Sequence, residues 1–284
     1  SDTIFRLLGD CSEAYFRCTE KSFGKTLNIV SKNKLKKFAE LAAMENVFEF
    51  PLQRILAGDD FPLRGVWGKS FFGNSNPIVL ELGCGRGEYT VGLARSHTDK
   101  NFIGIDIKGA RMWAGATEAR NGNLKNVAFV RTDIHNISTF FGNGEISEIW
   151  FTFPDPQMKK QRKRLTSATF LDNYRKVLTD NGLVRLKTDS NFLFTYTGEL
   201  LATNKIPVNE SITDIYSTTD SERHGILTSI RTYYESQWLQ RGITIKYIEF
   251  RLPQATVITE IDDSHIPHDE YRSYGRQRRS ELGI

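Results

Sequence analysis

Between residues 78 and 188 the chain alternates short β-branched and aromatic runs with stretches of helical periodicity. The runs are 78–82 (IVLEL), 102–106 (FIGID), 127–131 (VAFVR), 148–153 (EIWFTF) and 183–188 (LVRLKT). Helical stretches at 87–96, 108–120 and 168–179 separate most of them, and another at 190–203 follows the last. Strands that read as unbroken apolar runs are buried on both faces, and their alternation with helices specifies βαβ units and a parallel sheet. Two further strand-like runs, 206–213 and 243–252 (ITIKYIEFRL), flank a helical stretch near 222–240 and predict an antiparallel edge. The expected fold is therefore α/β: a doubly wound, mostly parallel seven-stranded sheet.

A chain of 284 residues buries enough surface to fold without disulfides. Its 39% hydrophobic and 25% charged residues exclude a disordered, collagenous or coiled-coil chain. Cys11, Cys18 and Cys84 are too scattered for a disulfide framework, and the five histidines are dispersed, so no metal is expected. No run reaches the length of a membrane span, and no charged segment leads into an apolar stretch at the start. The expected compartment is the cytoplasm. Residues 1–30 form an N-terminal extension to which the sequence assigns no role. Residues 31–76 read as a basic helical arm, with Leu35, Phe38, Ala39 and Ala42 at helical spacing, followed by an irregular wrap rich in glycine and proline. The sheet domain spans 77–252, and 253–284 is a basic C-terminal tail.

A doubly wound sheet binds its ligand beyond the carboxyl ends of its strands, so chemistry is expected just after each run. The first run leads into Gly83-Cys84-Gly85-Arg86-Gly87, with Glu81 two residues ahead. Glycines permit a tight turn and close approach of a ligand. The spacing departs from the dinucleotide fingerprint, because position 88 is Glu. The G-x-G-x-G form with a preceding acid favours S-adenosylmethionine over NAD. The bland alternative is a strand–helix turn with no ligand, in which Cys84 is only a small residue. Asp106 ends the second run, where a carboxylate accepts from ribose hydroxyls or, alternatively, caps the next helix. Asp133 follows the third run and could accept from an adenine amino group or serve as a turn residue. After the fourth, two prolines hold the backbone around Asp155, and the fifth ends at Asp189.

Charge is unevenly spread. The total is +4, yet Lys32, Lys34, Lys36 and Lys37 form one basic run. Lys159, Lys160, Arg162, Lys163 and Arg164 form a second, and Arg272, Arg276, Arg278 and Arg279 a third. Those thirteen charges leave the remainder of the chain at −9. The second run adjoins Asp155 and reads as a phosphate contact. The first reads as another contact or as plain surface, and the third as a contact or as a solubilising end.

The chain resembles the bacterial tRNA (guanine-N7)-methyltransferase family, which modifies position 46 of the tRNA variable loop. The residues carrying this are E-L-G-C-G-R-G-E at 81–88, F-P-D-P-x-x-K-K at 153–160 with K-R-L at 163–165, K-T-D at 187–189 and T-x-Y-E at 232–235. The similarity runs from about Ser31 to Leu252. It implies a Rossmann-like class I methyltransferase domain with an N-terminal helical arm, S-adenosylmethionine as methyl donor, tRNA as partner, and no metal or membrane. By match, Glu81, Gly83, Gly85, Gly87, Asp106, Asp133 and Asp155 would bind the donor, with Asp155 also the catalytic residue. Lys159, Asp189, Thr232, Tyr233, Tyr234 and Glu235 would contact the substrate nucleoside. Gln157 stands where the family usually has Trp, and Tyr233 where a charged residue is frequent. Two rival readings are a methyltransferase acting on another RNA, a small molecule or a protein, and a non-catalytic RNA-binding module on the same fold.

Overall fold

The computed structural model describes residues 29–217, 221–255 and 257–272. Most of the N-terminal extension lies outside these residues, as do the side chains of Lys32, Lys34 and Arg272 and the arginines at 276, 278 and 279. The elements in order are α1 (Ile29–Ala42), β1 (Val47–Glu49), α2 (Leu52–Leu56), β2 (Ile78–Leu82), α3 (Glu88–Ser96), β3 (Asn101–Asp106), α4 (Gly109–Asn121) and β4 (Val127–Arg131). There follow α5 (Ile137–Phe140), β5 (Ile146–Thr152), α6 (Ala168–Arg175), β6 (Leu178–Thr188), α7 (Asn191–Thr203), β7 (Val208–Ile212), α8 (Ser221–Ser229), α9 (Tyr233–Gln240) and β8 (Lys246–Leu252).

They form one sheet of order β1-β4-β3-β2-β5-β6-β8-β7. Every pairing is parallel except β6 with β8 and β7 with β8. Strand order reverses between β2 and β5, so the crevice for a ligand lies above that pair. Residues within β2 alternate between two cores. Leu80 and Leu82 pack with residues of α6 and α7, whereas Val79 packs with residues of α3 and α4. The expected covering of both faces follows from that alternation.

The sheet has eight strands, not seven. The extra strand, β1, falls in the segment expected to be irregular. Three residues are too few to show a period, and what makes them a strand is the partner: Val47, Phe48 and Glu49 register with Phe129, Val130 and Arg131. The wrap beyond it is well packed, for Trp67 is fully buried and donates from Nε1 to Phe140 O at 2.9 Å. Two helix expectations also change. The helix expected over 168–179 stops at Arg175, because β6 already begins at Leu178 and pairs with Ile146 before its register shifts. The helical stretch near 222–240 breaks into α8 and α9 at Thr232.

The described part of the expected tail is a strap. From the far end of β8 it returns along the molecule: Glu260 accepts from Ala168 N and Tyr196 OH, and Asp269 from Phe192 N and Ser190 Oγ. Among the described residues, no helix is long and apolar enough to cross a membrane.

Candidate active site

Strands β2 to β6 run parallel, so the segments after them share one rim. The glycine loop hangs from β3, since Gly83 N and Cys84 N both donate to Ile105 O. Gly87 has φ +73°, and a Cβ there would meet the Phe129 ring at 2.7 Å and Gly115 Cα at 3.2 Å. Only glycine lets the loop seat this closely on α4. On the ligand side the loop is open: a Cβ on Gly85 would meet nothing nearer than 3.9 Å.

Glu81 is buried beneath the loop. It accepts from Thr90 N and Thr90 Oγ1 in α3 and from Thr152 Oγ1 at the end of β5. Burial raises its carboxyl to about 7 despite those bonds. Asp106 accepts from Gly85 N at 2.8 Å through one oxygen and from Lys108 N at 2.7 Å through the other. It therefore ties the loop to the first turn of α4 while remaining half-buried at the rim. Asp133 caps the 3₁₀ turn after β4, accepting from His135 N at 3.0 Å. Partial burial opposes its ionisation, but the hydrogen bonds from His135 outweigh this and hold it below its ordinary value.

After β5, Phe153 (φ +52°) and Gln157 (φ +48°) both take the left-handed region on either side of Pro154-Asp155-Pro156. A bulky residue at positive φ is a strained backbone, held only where its surroundings impose it. Here Phe153 N donates to Lys187 O at 2.8 Å, and Gln157 N donates to Asp155 Oδ1 at 3.1 Å. The turn leaves Asp155 exposed.

Of the basic run that follows, Lys159, Lys160, Arg162 and Lys163 are exposed, but Arg164 is fully buried. Its guanidinium donates to Pro156 O and Gln157 O, pairs with Asp263 at 2.8 Å and lies 3.9 Å from the Tyr196 ring centroid. The expectation that Arg164 contacts RNA phosphate is therefore corrected: it braces the Asp155 turn from below. At α1, Lys36 is exposed, and Lys37 places its ammonium 4.7 Å from the Trp113 ring centroid.

The T-x-Y-E segment reaches the rim because α8 and α9 connect the carboxyl end of β7 to the start of β8 on the same edge. Its polar members are engaged within the protein. Thr232 and Glu235 form a capping box at the start of α9, and fully buried Glu235 pairs with buried Lys187 at 2.7 Å and accepts from Tyr216 OH. Burial depresses the Lys187 ammonium despite that carboxylate. Tyr233 and Tyr234 face outward, 50% and 38% exposed. Asp189 is buried, and its Oδ2 accepts from Tyr271 OH of the strap at 2.8 Å. The sequence reading did not single out Lys187 alone, Thr90, Thr152, Asp263 or Tyr271. Only the capping pattern S/T-x-x-E at 232–235 carried a local signal of the arrangement.

Residues 75–248 match the family model described as "Putative methyltransferase". The structure of the 16S rRNA methyltransferase KamB superposes with a TM-score of 0.51 over 65% of this chain and 92% of that one, at 11% identity, which shows a shared fold. Fold and family model define a class I methyltransferase that draws on S-adenosylmethionine. Curated relatives named tRNA (guanine-N(7)-)-methyltransferase come from Bacteroides thetaiotaomicron, 55% identical over 89% of this chain and 98% of that one, and from Porphyromonas gingivalis, 55% identical over 83% and 96%. The chain belongs to the tRNA (guanine-N(7)-)-methyltransferase family.

The rim fits a donor that is cationic at its sulfonium and its ammonium. Asp106, Asp133 and Asp155 present carboxylates along one edge, beside a loop whose ligand face is open. Among the described residues no group of three or more His, Cys, Asp or Glu could hold a metal ion.

Proposed function

We propose that the protein methylates N7 of guanine at position 46 in the variable loop of tRNA. The observation that carries this reading is the exposed Asp155, fixed on a strained turn at the switch point opposite the glycine loop. Bound S-adenosylmethionine supplies an electrophilic methyl group. Glu81, Gly83, Gly85, Gly87, Asp106, Asp133 and Asp155 would hold it, Glu81 chiefly by fixing the loop from beneath. Guanine N7 carries a lone pair and no proton, so the residues need not supply a strong base. Their task is to hold N7 in line, and such positioning contributes roughly 7–11 kcal/mol in favourable cases. Asp155 favours the cationic product electrostatically and can accept from guanine N1–H and N2–H₂, which selects against adenine. Asp189, buried at the same rim, is the second carboxylate that the family match assigns to the substrate nucleoside. Lys159 and the exposed cations beside it position the RNA backbone. The domain that carries the reaction is 77–252, and a tRNA substrate implies a cytoplasmic address.

Incubating purified protein with labelled donor and tRNA, then mapping the modified nucleotide, tests this. The expected product is 7-methylguanosine at position 46. Label in another RNA, in protein or in small molecules, and none in tRNA, would sink it.

A further inference from the structure

Thr232 and Glu235 are spent on the capping box and the buried ion pair, so what the T-x-Y-E segment offers a ligand is its two tyrosine rings. Each has an arginine beside it. Arg86 of the glycine loop places its guanidinium carbon 5.8 Å from the Tyr233 centroid, and Arg111 in the first turn of α4 places its own 5.9 Å from that of Tyr234. The rings lie 5.7 Å apart and inclined at 74°. Both arginines are exposed, and among the described residues neither has an acidic partner.

Three separate elements converge to build this cluster, and the contacts that bring them together are specific. A Cβ on Gly115 would meet Arg86 O at 2.6 Å, so the loop rests directly on α4. Glu88 accepts from Tyr233 N at 3.3 Å, which fastens α9 to the residue after the loop. The buried Lys187–Glu235 pair holds α9 to the end of β6, and Lys187 O also receives Phe153 N of the Asp155 turn. The cluster is thereby fixed to the rim, on the outer side of the glycine loop.

Exposed rings interleaved with unpaired guanidiniums match single-stranded nucleic acid, in which every base has a face to stack and every link a phosphate. We infer that Arg86, Arg111, Tyr233 and Tyr234 grip a nucleotide adjoining the target guanine, one tyrosine ring stacking on its base, the other meeting it edge-on, and the arginines holding its flanking phosphates. The inference rests on the proposed tRNA substrate and extends it to a second nucleotide.

The test is binding of tRNA across a range of salt, with donor affinity measured in parallel by calorimetry. The R86Q/R111Q variant should flatten the slope of log affinity against log salt by about 1.4–1.8, at 0.7–0.9 per phosphate. The Y233A/Y234A variant should bind tRNA roughly ten-fold or more weakly, while Y233F/Y234F keeps wild-type affinity. In tRNA with an abasic nucleotide beside the methylated guanine, wild type should lose affinity and Y233A/Y234A should lose no more. Donor affinity should hold in all three variants. Unchanged slope and affinity would overturn the inference alone, as would a donor affinity that falls in step with RNA binding. Wild-type protein that neither binds nor methylates tRNA would overturn the proposed function and this inference with it.

Discussion

Burial lifts the Glu81 carboxyl from 4.5 to about 7, although Thr90 and Thr152 donate to its ionised form. The folded state therefore holds a proton that the unfolded chain releases between those values. Stability is fully present below about 4.5, falls as pH rises through the window, and levels off above about 7, a loss on the order of 3 kcal/mol. Glu81→Gln keeps a neutral group of the same shape, and its urea-unfolding free energy should lose this fall between pH 5 and 7.5. The opposite demand comes from the donor, whose positive charge favours ionised Glu81, so wild-type donor affinity should rise with pH across neutrality and that of the variant should not. Asp155 is a different case, being exposed, with Gln157 N donating to its Oδ1. Asp155→Ala should lose most methyl transfer, read by label incorporation into tRNA, with unfolding lowered by no more than about 1 kcal/mol for the lost bond from Gln157 N. The positions of Glu81, Asp106, Asp133 and Asp155 were legible because each lies at the end of an apolar run or just beyond it. The partners of Glu81 were not, because they sit 9 and 71 residues away on other elements.

At the scale of elements, α9 shows how a helix start is set both locally and at long range. The capping box is local, and Thr232→Ala should cost about 1 kcal/mol in urea unfolding, with Thr232→Ser nearly neutral. The long-range part is the Lys187–Glu235 pair, with both side chains fully buried. Lys187→Met would strand Glu235 as an uncompensated buried charge and should cost about 3–5 kcal/mol. The double variant Lys187→Met with Glu235→Leu should recover most of that, since two apolar groups leave no orphan charge. A double variant as unstable as the single one would show that the pair supplies more than mutual neutralisation. Strand–helix alternation was legible from 78 to 188 because periodicity is a local property. β1 was not, because a three-residue strand exists only through β4, and the break at Thr232 hid inside an otherwise helical stretch.

Across the whole molecule the sign of charge follows the sheet edge, with carboxylates at the strand ends and exposed cations after β5. The run 158–164 looks uniform in sequence, yet the fold divides it: four cations face solvent, and Arg164 turns inward onto Phe192, Tyr196 and Asp263. No local pattern could have shown this, because the acid and the rings come from the strap and α7. Two variants should separate the parts. Replacing Lys159, Lys160, Arg162 and Lys163 with glutamine should weaken tRNA binding and flatten its salt slope by up to about 3–4, with donor affinity and unfolding unchanged. Arg164→Gln should leave the salt slope alone, because a buried guanidinium releases no counterions when RNA binds. It should instead lose about 3–5 kcal/mol of stability, since Asp263 loses its partner and the carbonyls of Pro156 and Gln157 lose their donor. Methyl transfer at saturating tRNA should fall with it, because the turn that aims Asp155 rests on that guanidinium. A changed salt slope in Arg164→Gln would place the residue back among the phosphate contacts.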